Sequence, residues 1–367
     1  MATYYVGIGG NDSNDGTSWS SRKLTLNGAE DIPVAAGDTV YVGPGTYREM
    51  LTCDVSGSSG SPISYIGDYD GSHTDGVGGV VRITGSDNDL ASARNRCILA
   101  NKDYRTFIGF TLDSNDPNYG LIYTADYDNI GLTVERCALY SQSHCIKNAN
   151  RTFSNLTVRN CYFSGFSGGI SEGGTTIDNA NTLIENCIFT QFAGNGHTAI
   201  VINSGGAVIR NCTFTGVNKG VSVGTLNAGQ FITVNNCTFN CVFNAALNSP
   251  ALGYIVEDYN NFSSVQIARS NVNVGAHSLT YYSYFDTRWF HEMVNGGSML
   301  TPFDLASYSQ LINVAGTSPT AKDIRGTAKI GAEREWGAFE YDSTLDIEAG
   351  SGGGGSVKIL PLGRIGL

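Results

Sequence analysis

One short phrase recurs through the middle of this chain and limits its fold more than any other feature. Between Gly131 and Phe262 the segments LTVERCALY, LTVRNCYFS, TLIENCIFT, AVIRNCTFT and ITVNNCTFN follow one another. Their cysteines, Cys137, Cys161, Cys187, Cys212 and Cys237, stand 24, 26, 25 and 25 residues apart. A period that steady marks a stacked repeat. Each cysteine has Val134, Val158, Ile184, Ile209 or Val234 three residues before it, and Leu139, Phe163, Phe189, Phe214 or Phe239 two residues after it. Residues two apart on a strand face the same way and residues three apart do not. The chain must therefore turn a corner just before the cysteine. That corner carries Asn160, Asn186, Asn211 and Asn236, with Arg136 in the first repeat. Asparagine tolerates a left-handed backbone better than most residues, and its amide can bond to the same amide one coil away.

Helical repeats would show stripes of period 3.6. These segments are instead rich in Val, Ile, Thr, Phe and Gly, which suits strands and turns. Crossovers between parallel strands are almost always right-handed. The chain therefore reads as all-β, a right-handed parallel β-helix with about 25 residues per coil. Residues 1–36 form an N-terminal strand and cap, and residues 37–341 form the β-helix. At that period the helix holds roughly eleven or twelve coils, a rod about 55 Å long. Residues 342–356 make a Gly/Ser-rich linker and 357–367 an apolar tail.

Charge and cysteine usage narrow the partners. The 367 residues carry 22 basic and 33 acidic side chains, a net charge of −11, and no basic cluster. A nucleic-acid partner is not expected. No apolar run approaches the ~18 residues of a membrane span, and MATYYVGIGG has neither a basic nor an apolar leader region. The nine cysteines lack CxxC pairs, so reduced core thiols are expected rather than zinc sites or disulfides. Asn211 and Asn236 lie in N-x-T sequons within the repeated wall, an awkward place for a glycan.

In chain order, Tyr4–Val6 reads as a strand. The polar loop 11–16 that follows has calcium-like composition, but its spacing does not match an EF-hand, and turn chemistry is the expectation. YYVGIGGNDSNDGTSW, followed by AGDTVYVGPGTYRE, resembles the N-terminal signature of pectate-lyase-like right-handed β-helix proteins. Asp323-Ile324-Arg325-Gly326 and Trp336-Gly337-Ala338-Phe339-Glu340-Tyr341 resemble the closing motif of the same superfamily. The resemblance implies the fold, and its members include enzymes that cleave acidic polysaccharides as well as proteins that only bind or build.

A polygalacturonase-like site would resemble NTD, DD, GHG and RIK segments. This chain has neither an Asp-Asp pair nor RIK, and Gly194-Asn195-Gly196-His197 is its nearest approach to GHG. A pectate-lyase-like site would need calcium carboxylates beside a basic residue. Asp126 and Asp128, with Lys147 about one coil later, are the candidates; an ordinary polar turn is the competing account of the aspartates. His144 and His197 show no carboxylate partner in the sequence. No cofactor or metal is otherwise expected, calcium being implied only for a lyase.

Two further segments are candidate contact surfaces. Tyr281, Tyr282, Tyr284, Phe285, Trp289, Phe290 and His291 crowd together, which suits either sugar stacking or an aromatic plug over the last coils. The tail carries Val357, Ile359, Leu360, Leu362, Ile365 and Leu367 after GSGGGGS, a sequence also common in engineered linkers. It is too short to span a membrane and suits docking on a neighbouring subunit. The sequence-level expectation is a non-enzymatic virion protein: a decoration, spike or fibre subunit, trimeric, assembled in the host cytoplasm and bound to capsid or tail proteins. The alternatives are a lyase or hydrolase of acidic glycans, including a tailspike that cleaves cell-surface glycan, and an extracellular bacterial adhesin.

Overall fold

The computed structural model describes residues 1–278, except 33, 86–93, 115, 117, 126, 166, 175–179 and 193–195. It also describes an antiparallel strand pair, Phe285–Asp286 with Asp304–Leu305. Within 1–278 the chain is an all-β right-handed parallel β-helix of about eight turns. Among the described residues no helix is long and apolar enough to cross a membrane.

The coil has three walls. The first is a ten-stranded parallel sheet running from Thr3–Val6 to Ile255–Asp258. The second and third are two arms of one larger sheet, joined where the long strand Thr238–Asn248 pairs with both Thr213–Val217 and Lys219–Val223. The expected corner lies between the first and second walls. Arg136, Asn160, Asn186, Asn211 and Asn236 all have φ between 51° and 55°. Asn186 Nδ2 donates to Asn160 Oδ1 at 3.2 Å, and Asn211 Nδ2 donates to Asn186 Oδ1 at 3.3 Å. The side-chain amide thus offsets the cost of a left-handed residue once per coil. Asn211 and Asn236 are buried, which leaves no room for a glycan on either.

Inside the corner the cysteines stack. The flanking strands pair Val158 with Ile184 and Ile184 with Ile209, and Phe163 with Phe189 and Phe189 with Phe214, so each thiol lies over the previous one. Of the nine cysteines, Cys53, Cys97, Cys137, Cys145, Cys161, Cys187, Cys212 and Cys237 are free and buried among the described residues. Beside them runs a column of phenyl rings, Phe163, Phe189, Phe214, Phe239 and Phe262. Successive centroids are 4.6, 5.1, 4.6 and 5.2 Å apart, and planes agree within 8°.

The expected eleven or twelve coils are not all present in the described region. It stops at residue 278, and one early coil is long: Tyr65 pairs with Phe107, 42 positions on, where later steps are near 25.

The N-terminal signature builds the cap. Trp19 packs across Gly7 and Gly43, where an added Cβ would stand 2.4 Å from its ring. The loop residue Asp12 accepts from the Leu24 and Thr25 amides and the Thr25 hydroxyl, each at 2.9 Å. Its carboxylate is thus used for turn chemistry. Thr25 caps the short helix Leu26–Glu30, whose first amides donate to the Glu49 carboxylate. At the other end of that helix Glu30 reaches into the core. It accepts from the Tyr65 hydroxyl at 2.6 Å and pairs with the fully buried Arg105.

Candidate functional site

The third wall offers a face where chemistry-bearing side chains gather. Its strands include Ile98–Leu99, Ile122–Thr124, His144–Asn148, Gly168–Glu172 and Thr198–Ile202. Ile98, Ile122, Ile146, Ile170 and Ile200 point inward and are fully buried. Strand alternation then places the next residue of each strand outward. These are Leu99, Tyr123, Lys147, Ser171 and Val201, paired in register and partly exposed.

Arg96 lies beside this row. Its guanidinium stands 4.4 Å from the ring centres of both Tyr119 and Tyr123, and those rings meet edge-on at 5.7 Å. Cation–π attraction of this kind holds the guanidinium over the aromatic pair. Partial burial lowers the Arg96 pKa, while the neighbouring Tyr123, Tyr119 and Asp116 act in the opposite direction.

At the start of the same strands His144 pairs in register with Gly168, and Gly168 with Thr198. The missing side chain at Gly168 makes room for the imidazole, since a Cβ there would lie 2.9 Å from His144 Cδ2. His144 Nδ1 is 3.2 Å from Ser143 Oγ. Burial, reinforced by the charges of Lys147 and His197, lowers its pKa to about 4. At neutral pH the imidazole is therefore uncharged, while the row carries an ammonium group at Lys147 and a guanidinium held over two phenols.

That shift has a measurable consequence. The unfolded chain takes up this proton near pH 6.5 and the folded protein only near 4, so stability falls as pH drops between those values. Replacing His144 with Gln is expected to flatten that part of the curve in denaturant titrations at pH 7, 5.5 and 4.5. An unchanged slope would contradict the assignment.

The three sequence candidates are placed differently. Lys147 lies on the third wall between Tyr123 and Ser171. Asp128 lies in the loop before the strand Asn129–Ile130, is exposed, and stands 3.8 Å from Arg151. Asp126, Tyr281, Tyr282, Tyr284, Trp289, Phe290 and the tail residues Val357, Ile359, Leu360, Leu362, Ile365 and Leu367 lie outside the described residues. Among the described residues no three His, Cys, Asp or Glu side chains gather as a metal would need. Sequence reasoning passed over Arg96, Tyr119 and Tyr123. The available signal was spacing, because Tyr123 precedes Lys147 by 24 residues, one coil.

The walls and their corner give the chain a parallel β-helix fold like that of pectate lyases. It is similar to the pectate lyase Pel9A, with 17% identity, a TM-score of 0.55, and coverage of 93% of this chain and 97% of that one. A glycoside hydrolase is similar at 12% identity and a TM-score of 0.51, over 76% of this chain and 96% of that one. The GH136 lacto-N-biosidase from Eubacterium ramulus aligns at 12% identity and a TM-score of 0.48 over 77% of this chain. This chain spans only 58% of that protein's length. Likeness at these identities speaks for the fold. No protein-family model and no curated protein matches the sequence.

Proposed function

We propose that this protein recognises an acidic polysaccharide along the outer face of the third wall. The carrying observation is the guanidinium of Arg96 held over Tyr119 and Tyr123, with Lys147 one strand away from Tyr123. Phenol rings offer stacking surface to sugar rings. The two cations supply charge-assisted hydrogen bonds to carboxylate or sulfate groups. On a chain of net charge −11, this local positive face would also select an anionic ligand by complementarity.

Cleavage is a separate matter within this reading. A lyase would use Lys147 as the base on this face, where the described residues gather no ligand set that fits calcium. The test is affinity electrophoresis on polygalacturonate, alginate and a neutral glucan, with and without calcium, alongside absorbance of unsaturated products. Binding to the acidic polymers is expected, weakened about 10- to 100-fold in Lys147→Ala or Arg96→Ala by loss of a charged hydrogen bond. Equal binding of neutral glucan, or no effect of either substitution, would overturn it.

A second reading, a trimeric decoration, spike or fibre subunit of a virion, is favoured by the eight free buried thiols. They suit assembly in a reducing cytoplasm. A copy recovered from purified particles would support it.

A further inference from the structure

Three of the columns inside the coil turn polar at the same level. The inward row Val134, Val158, Ile184, Ile209 and Val234 continues, by strand register, to Glu257. The row Ile146, Ile170, Ile200, Val221 and Leu247 continues to Arg269. In the cysteine column the next position after Cys237 is Asn260, because Asn235 pairs with Asp258 and Thr238 with Asn261. The phenyl column keeps its character to Phe262, as do the columns ending in Ile255 and Val265.

These polar replacements bond to one another. Arg269 Nε donates to Glu257 Oε1 at 2.6 Å, and Asn260 Nδ2 donates to Glu257 Oε2 at 2.8 Å. The backbone amide of Cys237 donates to Asn260 Oδ1 at 2.8 Å. The Arg269 guanidinium lies 4.3 Å from the ring centre of Phe262 and so caps the phenyl stack.

The chain then folds back over this layer. Gly275 N donates to Glu257 Oε1 at 2.7 Å and His277 N to Asp258 Oδ1 at 2.7 Å. The His277 ring stacks on Tyr259 at 4.4 Å, and Ser278 Oγ accepts from Asn260 N at 2.9 Å. The opposite end of the core is closed by the same chemistry, with Glu30 of the cap helix set against Arg105 and Tyr65.

We infer that the hydrophobic interior is complete at this coil, making residues 1–278 a closed folding unit. A further coil of the same kind would place an apolar layer against a carboxylate and a guanidinium, which is costly unless every polar group is matched. Among the described residues the last strand of the coil ends at Ser270. This closure does not depend on the glycan reading.

The test uses the full chain with a specific protease site inserted between Ser278 and the residue that follows. The protein is folded, cut, and compared with the uncut protein by amide hydrogen exchange over residues 232–270. Exchange within about threefold of the uncut protein, after the released segment is removed, is the expected result. A tenfold or greater loss of protection in 255–270 after cutting would overturn the inference, because it would show that the distal chain completes the core.

Discussion

Arg105→Met is expected to destabilise the protein by about 3–5 kcal/mol, the usual effect of removing one partner from a buried ion pair. Arg105 is fully buried, and its loss leaves the Glu30 carboxylate enclosed at the end of the cap helix. The Val55 carbonyl loses its 2.9 Å donor as well. The triple variant Glu30→Leu, Tyr65→Phe, Arg105→Met should recover most of that loss, because apolar side chains of similar volume need no compensation. Tyr65 must be included, since its hydroxyl donates to Glu30 at 2.6 Å. Urea titration of the three proteins decides the matter. A single substitution costing under about 1 kcal/mol would show that the pair does not close this end of the core.

Phe214→Ala is expected to cost about 3–5 kcal/mol, the range for emptying a core aromatic site. Its ring is fully buried between those of Phe189 and Phe239. The damage should remain local, because each coil of a solenoid rests only on its neighbours. Hydrogen exchange should rise in the coils containing Phe189, Phe214 and Phe239 before it rises near Val42 or Tyr65. Phe214→Leu keeps most of the volume and should cost roughly 1–1.5 kcal/mol. Uniform loss of protection along the whole rod would contradict the nearest-neighbour account.

How much of this could be read beforehand depended on whether a residue's neighbour was itself a repeat. Cys161, Cys187 and Cys212 announced the coil because each packs on its own counterpart. Asn160 and Asn186 announced the corner because a left-handed φ and an amide-to-amide bond between successive coils favour one residue type. The N-terminal signature was legible for a related reason: Gly7 and Gly43 are small because Trp19 lies on both, and Glu49 is acidic because helix amides point at it. The candidate site had no such support. Arg96 meets Tyr119 and Tyr123 one coil on as unlike residues rather than as its own counterpart, and outward positions of the wall vary from Leu99 to Ser171. The charge that ends the core was missed because Glu257 and Arg269 look like ordinary surface residues until register turns them inward.

The register has a consequence for size. Glu185 is followed by Asn186 and Arg210 by Asn211, and the strands around each corner pair like with like: Ile184 with Ile209, Phe189 with Phe214. Joining Glu185 directly to Asn211 would remove one whole circuit while every column closed up on an equivalent side chain. The molecule is in this respect a stack of interchangeable storeys between two fixed roofs. Over evolutionary time its height can change only by whole storeys, each about 4.8 Å.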